Sequence, residues 1–224
     1  MRRGIVAAML IAAVGLVGCR QPEKQDVEAA IDDLSDCIET RCVAAYYKED
    51  VPYWTDQQQR FCPTAGLFEA WGTEPEGKWN ALFQDGKLSV SGLKGTAAQA
   101  LPAGLMNTIL AESLFYGFTA GGGFEPAALT APQVVSLEGR RYEAFEVSGT
   151  AGRTVTLYKN IATGYFEFVR VTEAGGADWM AQSYNLRYHD RFKRAIPRKI
   201  DVFDVQRGIA AKKLMIQVEY IDVR

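Results

Sequence analysis

Apolar residues recur along this chain with two different periods, and the change falls a little past its middle. In the first half, Val27, Ile31, Leu34, Ile38, Cys42 and Ala45 are spaced by three or four, with Glu28, Asp32, Asp33, Asp36 and Glu39 between them. That spacing predicts an amphipathic helix from about Gln25 to Lys48 with an acidic outer face, ended by Pro52. From Tyr53 to Trp79 the chain is aromatic and polar, interrupted by Pro63 and Pro75, and reads as loop with one or two short strands. Trp79 to Phe83 and Lys87 to Val90 then flank Asp85-Gly86, a pair that tolerates positive φ and so predicts a tight hairpin. Small residues from Gly92 to Ala100 read as a linker, and Pro102 stands where a second helix can start. Leu105, Met106, Ile109, Leu110, Leu114 and Phe115 make that helix apolar on most of its circumference, so it is expected to be buried on more than one side, with Gly117 ending it. Thr119 to Pro132, with Gly121-Gly122-Gly123, reads as a flexible loop. No strand precedes the glycines and no helix with a lysine follows, so they do not read as a phosphate cradle.

From Gln133 onward the period is two. Val134 to Leu137 and Tyr142 to Val147 flank a turn at Glu138-Gly139; Thr154 to Tyr158 and Tyr165 to Val171 flank Ile161 to Gly164. Trp179 to Tyr188 follows the turn at Gly175-Gly176, with Met180, Tyr184, Leu186 and Tyr188 expected on one face. Ile200 and Val202, then Leu214, Ile216, Val218 and Tyr220, form a last hairpin around Gly208. Alternation of this kind means one buried face and one wet face. Strands joined by short turns make an antiparallel meander, and the class is α+β with helices packed on one side.

The N-terminus changes the picture. Arg2 and Arg3 precede an uncharged apolar run, Ile5 to Val17, which is shorter than the roughly 20 residues needed to span a bilayer and fits the core of a secretory signal. It ends in Leu16-Val17-Gly18-Cys19, which resembles the lipobox of bacterial lipoproteins. Residues 1–18 are therefore expected to be a signal peptide, 19–26 a tether lipidated on Cys19, and 27–224 a single domain. The resemblance implies a diacylglyceryl group and acyl chains such as palmitate on Cys19; two or more chains anchor stably where one binds marginally. Arg20 replaces the Asp that favours inner-membrane retention in the best-known sorting rule, which points to the outer membrane, facing the periplasm.

Composition adds limits. The formal net charge is −2 and no basic run occurs, so nucleic-acid binding has no electrostatic support. With Cys19 used by lipid, Cys37, Cys42 and Cys62 leave one disulfide and one free thiol. In a straight helix Cys37 and Cys42 point about 140° apart, so a bond from one of them to Cys62 is the alternative to a helix break between them. No metal site has four ligands at suitable spacing, and no motif calls for a cofactor. His189 is the sole histidine, beside Asp190, and no nucleophile elbow occurs; the chain is expected not to be an enzyme. Trp71, Trp79, Phe83, Leu105, Ile109, Phe115, Phe145, Phe166 and Phe168 form the candidate lining of an apolar ligand cavity, though the same residues suit a filled core.

The C-terminal half carries a family resemblance. Glu138 to Tyr142, Val155 to Tyr158, Ala162 to Tyr165, Asn185 to Phe192, Ile196 to Val202 and the closing strand Leu214 to Val223 follow the order of strands and turns seen in the LolA/LolB-like superfamily of lipoprotein and lipid carriers. The resemblance implies a strongly curved antiparallel sheet, an open half-barrel, with two or three helices in its concave mouth and acyl chains on the concave side. It carries no catalytic residues. The expected function is a non-enzymatic, membrane-anchored envelope lipoprotein that binds lipid or the acyl chains of another lipoprotein, with the Gly121–Gly123 loop as a candidate gate. The alternatives are an interaction module of the same fold without a cavity, and a hydrolase built around His189.

Overall fold

In the computed structural model the described residues are 37–48, 50–62, 65–74, 77–84, 87–115, 118–120, 124–126, 129–147, 152–190 and 194–224. The signal segment, Cys19, the tether and residues 25–36 of the expected first helix lie outside them. Five strands come first: β1 (Ile38–Lys48), β2 (Val51–Cys62), β3 (Leu67–Glu74), β4 (Gly77–Gln84) and β5 (Lys87–Ser91). Helix α1 (Gly95–Phe115) follows, then a small hairpin of β6 (Phe118–Ala120) and β7 (Phe124–Pro126). The second run is β8 (Gln133–Leu137), β9 (Arg140–Glu146), β10 (Arg153–Asn160), β11 (Phe166–Glu173) and β12 (Asp178–Tyr184). After the hairpin of β13 (Arg187–His189) and β14 (Arg194–Ile196) come β15 (Lys199–Asp204) and β16 (Lys213–Val223).

One sheet of 12 strands runs in the order β5-β4-β3-β2-β1-β16-β15-β12-β11-β10-β9-β8. Its pairings are all antiparallel, and it is open, with β5 and β8 as its edges. Two meanders meet where the last strand returns to lie beside the first. The expected antiparallel architecture is therefore present, but among the described residues one α-helix packs on the sheet, not two or three.

The first half differs most from expectation. Residues 38–48 are strand, not helix. Ile38, Cys42 and Ala45 fit a helical period, but Ile38, Thr40, Cys42, Ala44 and Tyr46 also alternate, and all five are buried. Thr, Val and Tyr favour a pleated surface, and two neighbouring strands settle the ambiguity. Pro52 ends no helix; it lies one residue into β2, opposite Tyr47. The stretch read as loop is β2 and β3. Its alternation is hidden because β2 buries Thr55, Gln57 and Gln59, so polar residues occupy core positions. Pro102 lies inside α1 rather than at its start, and the linker read up to Ala100 is helical from Gly95. The loop read over 119–132 contains part of the β6/β7 hairpin; Gly121–Gly123 are outside the described residues. The strand read from Trp179 to Tyr188 breaks at Asn185, whose φ of 53° turns the chain between β12 and β13.

Several turns are as expected. Gln84 pairs with Lys87 across the Asp85-Gly86 position. Glu138 and Gly139 have φ of 49° and 77°, the positive pair that a two-residue hairpin turn needs.

The main core lies between one face of the sheet and α1. Phe83, Phe68, Phe61 and Ile38 form a continuous row across β4, β3, β2 and β1 on that face. Val218, Ile216, Ile200, Val202, Ala181, Val169, Val171, Leu157 and Val155 continue it on the far side of β1. Helix α1 lies lengthwise along β1. Its Gly104 meets Tyr46 and its Glu112 bonds to Tyr220, which pairs with Cys42. Eight helical residues cover about 12 Å and four strand residues about 13 Å, so the two axes run together. The helix also touches β11, four strands from β1, a distance of about 19 Å in a flat sheet. Contact at that distance fits a sheet that curls round the helix.

The other face carries a smaller core of Leu137, Tyr142, Phe168, Met180 and Val205. The connection between β15 and β16 closes over it, held by Lys212 Nζ to Glu138 Oε1 at 2.5 Å. At the start of β1, Cys37 is disulfide-bonded to Cys62 at the end of β2, and Cys42 is the free thiol. Of the pairings left open by the sequence, the one that forms staples two adjacent strands, not a helix to a loop.

Candidate ligand-binding face

Seven of the nine residues expected to line a cavity share the inner face with α1, and two do not. Trp79 and Phe83 point inward from β4 and are buried. Leu105, Ile109 and Phe115 are buried on α1. Phe145 sits opposite Leu157, half-buried, with its ring 5.9 Å from that of Phe166, which packs on the same core. Trp71 is on the outer face, because it alternates with the inward Ala70 and Gly72. There it lies under Arg60, 5.7 Å from its ring centroid, and lines an outer hollow of about 210 Å³ with Glu39, Arg41 and Asp222. Phe168 is also outward, in the smaller core against Tyr142. Trp71 is one residue out of phase with the inward Ala70 and Gly72, and Phe168 with the inward Val169 and Val171, while an irregularity opposite Tyr158 and Lys159 puts Phe166 and Phe168 on opposite faces.

The inner face is not wholly apolar. A row across five strands reads Trp79, Gly72, Gln57, Cys42, Tyr220. The next row reads Ala81, Ala70, Gln59, Thr40. Tyr46 Oη donates to Gln57 Oε1 at 3.3 Å, and Thr40 Oγ1 donates to Gln59 Oε1 at 3.2 Å. Above them is Glu112, 1% exposed, which accepts a hydrogen bond from the Tyr220 hydroxyl.

Burial dominates the electrostatics here. It pushes the Glu112 carboxyl up to about 8, although the Tyr220 hydroxyl and the Gln59 amide favour its charged form. Burial, helped by the nearby Glu112 charge, pushes the Cys42 thiol well above its ordinary value, and burial likewise raises Tyr46. Cationic side chains are absent from the buried polar groups among the described residues: these are Thr, Gln, Glu, Ser, Asn and Asp. The sheet's ion pairs, such as Arg41 with Asp56 at 2.7 Å and Arg60 with Glu39 at 3.0 Å, lie on the outer face.

The polar residues of this face were not singled out from sequence. Gln57 and Gln59 read as loop because their polarity broke the apolar alternation. Glu112 had a usable signal: it is the one charged residue from Leu101 to Phe115, in a helix apolar nearly all round. His189 lies apart, in β13 opposite Arg194. Among the described residues, no group of three His, Cys, Asp or Glu side chains is arranged to hold a metal ion, and no helix is long and apolar enough to cross a membrane.

No protein-family model and no curated protein sequence matches the chain. Among solved structures, a LolA superfamily protein from Nitrosomonas europaea is similar over 89% of this chain and 92% of its own, with a TM-score of 0.54 and 15% identity. More distant are a domain from Vibrio parahaemolyticus described by its role in outer-membrane lipoprotein sorting (TM-score 0.49, 9% identity, 89% of each chain) and a DUF1329 family protein from Desulfovibrio piger (TM-score 0.48, 7% identity, 88% of this chain and 92% of that one). An open antiparallel sheet holding a helix against its inner face, and its superposition on the Nitrosomonas protein along nearly the whole of both chains, identify this domain as LolA-like in fold.

Proposed function

We propose that the chain is an envelope lipoprotein, anchored by acyl groups on Cys19 to the outer membrane and facing the periplasm. It acts by binding rather than catalysis, holding lipid or the acyl part of another lipoprotein on the inner face of its sheet. The supporting observation is the rim of that face. Leu88, Val90, Leu93, Met106, Phe145 and Phe166 are apolar yet only half-buried, and they border a fully buried core on a sheet that does not close. The one α-helix among the described residues, about 10 Å across, does not by itself span 12 strands spaced about 4.8 Å apart, and the half-buried apolar residues on its flanks offer surface of the width an acyl chain needs. The LolA-like fold is in keeping with that use.

Native mass spectrometry of the gently extracted full chain tests this. The expected result is a mass increment from retained lipid beyond the anchor itself. A mass equal to that of the anchored protein alone would instead favour an interaction module built on the same fold.

A further inference from the structure

A hollow of about 470 Å³ opens on the outer face of the sheet, away from α1, over the buried rings of Tyr142 and Phe168. Small-molecule sites run from about 300 to 1,000 Å³, so it has room for one. Glu138, Thr163 and Asn185, one from each of three turns, stand at its border. Strand β11 bulges here: Tyr158 pairs with Phe168 and Lys159 with Phe166, which leaves Glu167 as the extra residue and aims its carboxylate into the hollow. That carboxylate accepts from the Tyr142 hydroxyl at 3.0 Å, the Asn160 amide at 3.0 Å and the Thr163 hydroxyl at 3.1 Å, with Arg140 at 3.9 Å. Asn160 also ties down the turn before Tyr165. Its Oδ1 accepts from the Ala162 N–H at 2.8 Å, and its own N–H donates to the Tyr165 carbonyl at 2.8 Å. On β12 the Tyr184 hydroxyl donates to Gln182 Oε1 at 2.7 Å, which sets the direction of that amide. The polar groups are thus oriented before any ligand arrives, while Tyr165 stays 38% exposed.

We propose that this hollow binds an uncharged saccharide, with the C–H face of a pyranose laid on Tyr165 and its hydroxyls bonded by Arg140, Gln182 and Asn185. A sugar ring has one apolar face and a rim of adjacent hydroxyls. Amide and guanidinium groups present planar sets of donors that suit such hydroxyls, and a tyrosine ring offers flat apolar area. The hollow brings both kinds of group together. Other ligand classes suit it less. An anion would meet the carboxylates of Glu138 and Glu167, and among the described residues that line the hollow Arg140 is the one lysine or arginine, already leaning on Glu167. A purely apolar ligand would strip water from the Gln182 amide and the Arg140 guanidinium and give them no partner. The site lies on the opposite face from α1, so the inference stands apart from the acyl-binding reading.

The test presents the full chain, labelled and held in amphipol, to a printed array of defined neutral and acidic oligosaccharides at neutral pH. The best neutral binder is then titrated by calorimetry. Neutral members are expected to be retained and acidic ones not. Tyr165→Ala and Gln182→Ala should each weaken the titrated sugar about tenfold, the worth of one good contact. Trp71→Ala, in the other outer hollow, should leave its affinity unchanged. Tyr165 is exposed enough that its replacement leaves the fold intact, and an unaltered thermal midpoint shows that its loss of binding is local. Retention of no neutral oligosaccharide, or a preference for acidic ones, overturns the proposal. So does wild-type affinity in both hollow variants, or an equal loss in Trp71→Ala.

Discussion

Gly104 on α1 lies so close to Tyr46 on β1 that a Cβ at 104 would stand 2.3 Å from the ring carbon Cδ1. Tyr46 is 2% exposed and hydrogen-bonded to Gln57, so its ring has little room to yield. This contact sets how deeply the helix seats in the sheet. Gly104→Ala is expected to destabilise by about 1–3 kcal/mol through overpacking, although alanine favours a helix over glycine by about 1 kcal/mol. Thermal unfolding checks this, and the cost should shrink in a Tyr46→Leu background. A stabilised Gly104→Ala would mean the helix is not held at this depth.

Glu112 makes stability depend on pH in an unusual direction. Its folded value, about 8, lies above its ordinary 4.5, so the folded state holds the proton more tightly than the unfolded chain. The contribution is fully present below about pH 4.5 and is lost as pH rises through about 8, by an amount on the order of 5 kcal/mol at most. Urea midpoints should fall across that range. Glu112→Gln, which keeps an acceptor for Tyr220, should flatten the profile; an unchanged slope would show that another group is responsible.

The Cys37–Cys62 bond joins residues 25 apart. Removing it with the Cys37→Ser, Cys62→Ser pair should cost about 3 kcal/mol by loop entropy. Cys42, buried and with its thiol pushed far up, should resist a thiol reagent in the native protein and react once unfolded. Rapid native labelling of one thiol would contradict this arrangement.

Anchoring through Cys19 predicts a simple change of fraction. Cys19→Ser should move the protein out of the membrane pellet and abolish incorporation of labelled palmitate. Continued sedimentation with membranes would show that another segment holds it there.

The sequence displayed the second half of the fold and hid much of the first. From Val134 to Tyr220 most buried residues, on one face or the other, are apolar, so alternation marks most of the strands. In β2 the inward Thr55, Gln57 and Gln59 are polar, and the strand disguised itself as a loop. In β1 the helical and strand periods coincide at Ile38 and Cys42, and only cross-strand partners decide between them. Trp71 and Phe168 went to the wrong face for a related reason: aromatic character marks burial, but phase decides the side, and both lie one residue from an inward position. Glu112 was legible in principle, since an isolated carboxyl in an apolar helix must be buried at a cost that something offsets.

The central claim is that acyl chains lie on the inner face and not elsewhere. Photocrosslinking with an acyl chain bearing a diazirine, followed by peptide mapping, tests it most directly. The label should fall on Trp79, Phe83, Leu105, Ile109, Phe115, Phe145 or Phe166. Labelling confined to Trp71, Phe168 and their outer-face neighbours, or none at all, would contradict it.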